Sequence, residues 1–201
     1  MNPTQYDRGV FLNCPFDRHY EPVFRAIVFC VSSAGLVPRC AWEVDNGAQN
    51  RLDKIFRMIG ECRYGIHDIS RTELDITYVL PRFNMPLELG MFLGCARFGG
   101  RAHAGKACLI LDRERYRYQK FLSDLAGQDV HAHHGDPRTA VAEVRSWLRS
   151  AAGRQEMAGG EEIWRRYLLF QRDLPEICKG MKLRPNELTF RDLVTAIRSW
   201  L

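Results

Sequence analysis

No apolar run in the 201-residue chain approaches the 18 residues expected of a membrane-spanning helix, and its opening lacks a basic segment followed by an apolar one. Neither a membrane span nor a secretory leader is expected, and the reading is a cytoplasmic protein. No two of the seven cysteines form a C-x-x-C pair, which argues against a zinc ribbon or a thioredoxin-type redox centre. Scattered, odd in number and mostly in apolar segments, they read as buried thiols of a reducing compartment. There is no complete G-x-x-x-x-G-K-[ST] and no G-x-G-x-x-G, so ordinary P-loop ATPase and dinucleotide-dehydrogenase chemistry are not expected. Repeats and low-complexity tracts are also missing.

Charge of one sign is not concentrated anywhere. The net charge of +5 divides into +3 over residues 1–150 (20 basic, 17 acidic) and +2 beyond (9 basic, 7 acidic). Without a basic arm, no nucleic-acid partner is implied. The length suffices for one medium domain and a small appendage.

Apolar runs and helical spacings alternate along the first 150 residues. Gly9–Cys14, Leu36–Trp42, Arg63–Ile69, Lys106–Leu111 and Asp129–Ala132 read as strands, with Pro38 arguing for an edge position in the second. Tyr20–Ala34, Asn50–Cys62, the stretch after Asn84, Tyr116–Leu125 and Pro137–Ser150 read as helices. Five alternations predict an α/β fold: a flavodoxin-like parallel sheet of about five strands, order 2-1-3-4-5, with helices on both faces. Ligands of such sheets bind at the carboxyl ends of strands one and three, where the order reverses. The expected division is a nucleotide-binding domain over 1–152 and a helical extension over 153–201. Pro175 and Pro185 punctuate that extension, which is too short to bury a core alone and is expected to dock.

The stretch 62–94 carries the chemistry. Asn84 is expected to cap a helix with Pro86 and Glu88 in its first turn, and with Leu87, Met91, Leu93 and Cys95 facing a core. Gly90 and Gly94 are read as allowing close approach to a sheet or ligand. Glu88 can be a reactive carboxylate, or can merely favour the positive helix end, worth under about 1 kcal/mol at an exposed site. Asp68 and Ser70 can bind ligand or simply close a strand. His131, His133 and His134 invite a metal reading, but a loop at the sheet edge accounts for them more simply, and no metal is expected.

The segment NMPLELGMFLGCARFGG, followed by KACLILD, resembles the N-x-x-x-E-L-G segment of the TIR-like predicted nucleotide-binding proteins of bacteria. More distantly it is similar to nucleoside deoxyribosyltransferases. GVFLNCPFD and RYGIHDIS stand where those families have their first and third strands, so the resemblance covers about residues 8–150. It implies cleavage of the N-glycosidic bond of NAD or a related nucleotide, with NAD as substrate and no further cofactor. It also implies a role in antiviral defence, gated by homo-oligomerisation or an activating protein. The implied catalytic residue is Glu88, stabilising or trapping an oxocarbenium-like ribosyl group. Asp68 and Ser70 would hold ribose hydroxyls or orient Glu88. Asn13 and Asp17 would contact the sugar or adenine side, Phe16 would stack on a base, and Arg71 or Arg82 would pair with pyrophosphate. Two other readings stand beside it: a nucleotide-sensing or protein-interaction module without turnover, and a deoxyribosyltransferase.

Overall fold

A computed structural model describes residues 4–43, 46–72 and 83–201. Among them, five strands form one all-parallel sheet: β1 (Gly9–Asn13), β2 (Val37–Arg39), β3 (Tyr64–Asp68), β4 (Ala107–Asp112) and β5 (Val130–Ala132). The order is β2-β1-β3-β4-β5, the expected flavodoxin-like arrangement, with Pro38 on an edge strand. The helices are α1 (Gln5–Arg8), α2 (Glu21–Ser33), α3 (Arg51–Glu61), α4 (Asn84–Phe98), α5 (Pro137–Ala151), α6 (Gly160–Gly180) and α7 (Phe190–Trp200).

The period-two pleat divides the strand side chains between two apolar clusters. Val10, Leu12, Tyr64, Ile66, Leu109 and Leu111 pack with α2 and α5. On the other face Phe11 meets Ile55, Met58 and Ile59 of α3 and Phe92 of α4, while Ile69, Leu89 and Ile110 cluster with Tyr118. The caps are chemical. Asn50 accepts from the Leu52 N–H at 2.8 Å to start α3, and Asp136 accepts from the Thr139 N–H at 2.9 Å to start α5 at Pro137.

Several local expectations need correction. Phe83 is the cap of α4 and Asn84 its first residue, so Glu88 lies in the second turn rather than the first. The buried face of α4 is Glu88, Leu89 and Phe92, whereas Leu87 is 56 % exposed. Gly90 and Gly94 have nothing within 4 Å of where a Cβ would stand, so close approach does not explain them. Between Tyr116 and Leu125 the chain makes two 3-10 turns instead of a helix, entered through Tyr116 at φ 62°. Pro175 lies inside α6, which continues to Gly180 because Tyr167, Phe170, Leu174 and Cys178 hold it to the core on both sides of the proline.

Residues 153–201 dock on the sheet domain, as their length requires. Phe170 and Trp200 pack against Phe29 of α2 with ring centroids 5.5 and 5.8 Å away, and Phe190 meets Phe24 at 6.0 Å. One apolar cluster runs from the sheet through α2 and α5 into α6 and α7.

Candidate functional site

The carboxyl ends of β1 and β3 meet where the strand order reverses, and the two sheet faces there carry different groups. On the face covered by α3 and α4, Asn13 stands in register beside His67. Its Nδ2 donates to His67 Nδ1 at 3.0 Å and to the Met85 carbonyl at 2.8 Å. Met85 belongs to the first turn of α4. One buried amide therefore fastens the end of β1 to the helix that carries Glu88. Burial, with the Lys106 charge adding, pushes His67 down to about 3, so its ring is neutral.

Glu88 is 6 % exposed. Burial pushes its carboxyl up to about 7, against the attraction of Arg51 at the start of α3. Desolvation, not a neighbouring anion, is the cause, so the group changes charge near neutral pH and responds strongly to any cation brought beside it.

The face covered by α2 and α5 carries Asp68, which is fully buried. Its Oδ2 accepts from the Tyr20 hydroxyl at 2.6 Å, and its Oδ1 accepts from the Ser70 N–H at 2.8 Å. His133 Nε2 lies 2.9 Å from the same Oδ2, off the ideal hydrogen-bond line. His133 Nδ1 accepts from the Gly135 N–H at 2.9 Å, which leaves the ring proton on Nε2, toward the carboxylate. Burial and the Asp68 charge together push the Tyr20 hydroxyl well up. The Cys14 thiol is raised by burial, with Asp68 adding and Glu88 contributing less. At the end of β4, Asp112 accepts from Arg117 Nε and Nη2 at 2.8 and 2.6 Å, and Arg117 also donates to the Ile69 carbonyl at 2.9 Å. That guanidinium locks the exits of β3 and β4 together.

The rim is formed by the loop after β1. Asp17 Oδ1 accepts from the N–H groups of His19 and Tyr20 at 3.0 and 3.1 Å and from Arg71 Nη2 at 2.8 Å. Phe16 stacks on Trp42, with centroids 4.2 Å apart and planes at 27°. These two rings, Arg18, Arg51 and Lys54 line one side of a cleft of about 680 Å³, and the start of α7 lines the other.

Comparison with protein-family models, with curated proteins and with solved structures finds no match.

The candidates read from the sequence fall into three groups. Glu88 and Asn13 are joined through the first turn of α4. Asp68 and Ser70 form a braced unit on the opposite face, with both Asp68 oxygens already engaged. Phe16, Asp17 and Arg71 make the rim, and Arg82 lies outside the described residues. Among the described residues, no three His, Cys, Asp or Glu side chains gather as a metal site. His131 instead pairs with Glu143 at 2.6 Å. Sequence reasoning missed Tyr20, Trp42, Arg18, Arg51 and Arg117, because each acquires its role from a long-range neighbour. The segment GRAHAGKA, one hydroxyl short of a P-loop, precedes β4, and Lys106 turns inward to donate to the Ile59 and Cys62 carbonyls. It offers no phosphate cradle.

Proposed function

We propose that this chain is a TIR-like nucleotide N-glycosidase that cleaves NAD or a related nucleotide, with Glu88 as the reacting carboxylate. The observation that carries the reading is a buried glutamate at the carboxyl edge of the sheet, beside the point where strand order reverses, with its carboxyl pushed up to about 7. Nicotinamide leaves NAD as a neutral base, so a strong general acid is not required. Positive charge grows on the ribosyl carbon instead. A carboxylate removed from water loses little by reorganisation and gains from that charge, either as an electrostatic partner or as a covalent trap. Asn13 fixes the helix that aims it. The Asp68–Tyr20–His133 unit stiffens the strand exit behind it, a positioning role.

Glu88→Gln keeps the shape and removes the ionisable group. Nicotinamide released from NAD by the full chain is expected to fall at least about 10³-fold in the variant, read by chromatography, with melting temperature as the check on folding. The co-product separates hydrolysis from cyclisation. No release by the wild type, at high protein concentration and with nucleotide binding intact, would sink catalysis and favour a nucleotide-sensing module. One observation favours that second reading: Glu88 is not among the residues lining the 680 Å³ cleft. Transfer of a deoxyribosyl group to an acceptor base, with NAD ignored, would mark the third.

The defence role, and gating by self-association or a partner protein, follow from the resemblance and belong to the same proposal. All seven cysteines are free thiols, five of them buried, which supports a reducing, cytoplasmic setting. Among the described residues no helix is long and apolar enough to cross a membrane.

A further inference from the structure

The cleft between the loop after β1, the start of α3 and the start of α7 has features that the glycosidase reading does not use. Trp42 is 53 % exposed although one ring face is stacked on Phe16 and its edge meets Phe24. An indole held rigidly by two other aromatic rings, with its remaining surface open to a cavity, is a platform for a planar ring. Charge around it is unequal. Four cationic side chains and two carboxylates line the cleft. Glu21 is paired with Arg25 at 2.7 Å, and Asp17 is neutralised from outside the lining by Arg71 at 2.8 Å. Arg18 and Arg51 supply the excess, with Lys54 three residues along α3 from Arg51. The volume, about 680 Å³, lies within the roughly 300–1,000 Å³ typical of small-molecule pockets.

The far wall is Leu188, Phe190 and Leu193, from the segment that enters α7. The helical extension therefore completes the cavity as well as covering α2. We propose that this cleft binds a nucleoside diphosphate, the base lying against Trp42 and the diphosphate against Arg18 and Arg51, with α7 as the closing wall. The proposal takes from the functional reading only that the ligand is a nucleotide. Arg51 connects the two sites, since it lines the cleft and its charge also acts on Glu88.

The test is calorimetric titration of the full chain with ADP, together with tryptophan fluorescence. Saturable binding with quenching is expected. Arg18→Ala and Arg51→Ala should each weaken binding about tenfold or more, as loss of a charge-assisted phosphate contact does. Trp42→Ala should weaken it about tenfold and abolish the quench. Leu188→Trp, which fills the cleft from the α7 side, should abolish binding. Melting temperatures of all four variants separate lost binding from lost folding. Pyrophosphate binding as tightly as ADP, no binding at millimolar ADP, or arginine variants that bind like wild type would each overturn the proposal. Nicotinamide release without ADP binding would overturn it while leaving the glycosidase reading intact. ADP binding that depends on Trp42 and Arg51, with no NAD cleavage, would do the reverse.

Discussion

Glu88 links stability to pH in a direction opposite to that of most carboxylates. Its folded-state proton affinity is raised from 4.5 to about 7 by burial, so between those values the native state holds a proton that the unfolded chain releases. Stability from this group is present below pH 4.5, declines as pH rises through 7, and is absent above it. The loss is on the order of 3 kcal/mol across that window. Glu88→Gln should remove the decline, so the variant is expected to be more stable than the wild type at pH 8 and similar at pH 4.5. Urea melts at the two pH values read this directly, and equal slopes for both proteins would contradict it. The substitution proposed above as the test of catalysis is thus expected to raise stability at alkaline pH, because it removes a carboxylate from a site where its charge is disfavoured. Asp68 is also buried, and there the Tyr20 hydroxyl and the Ser70 N–H donate to the carboxylate. The two buried acids, 20 residues apart, differ in what the fold places around them.

At the scale of the element, β3 is the strand on which both faces of the site depend. Gly65, His67 and Ile69 point one way, Ile66 and Asp68 the other. His67 Nε2 can stand beside residue 65 only because that residue has no side chain. A Cβ there would stand 2.5 Å from His67 Nε2 and 2.9 Å from the Phe92 ring. Gly65→Ala is expected to cost about 1–3 kcal/mol by overpacking and to displace His67, and with it Asn13 and the start of α4. Chemical denaturation measures the cost. An unchanged midpoint would show that the ring moves freely and that the Asn13–His67 link does not hold the helix. The second turn of α4 matters in the same way. Glu88 stands beyond the reach of the first-turn helix dipole and faces inward, so the dipole role read as its plain alternative does not describe its environment.

Over the whole molecule, the extension and the sheet domain share one core. Phe170 is fully buried, against Phe29 of α2. Phe170→Ala is expected to cost about 3–5 kcal/mol and to lower the single unfolding midpoint of the full chain, with near-UV and far-UV signals moving together. Separate transitions for the two signals would show that residues 153–201 fold apart from the sheet. Much of this organisation was legible without coordinates. Strand and helix alternation, the edge position signalled by Pro38, the buried strand KACLIL and the docking of a short extension all follow from periodicity and length, which are local and additive. Glu88 could be singled out by its place after the third strand, but its burial in the second turn of α4 could not be read. What the sequence could not disclose depends on residues far apart in the chain. Asp68 meets Tyr20 and His133 across 48 and 65 positions, Trp42 stacks on Phe16 while α7 closes the cleft beside it, and Arg117 returns to clasp the end of β3. Amino-acid order determined by itself the strands and most of the helices, because those depend on near neighbours, but not the buried face of α4 or the 3-10 turns between Tyr116 and Leu125. The tertiary structure alone decided which carboxylate is braced, which is desolvated and where a cavity remains, because solvation and charge are set by whatever the fold brings close.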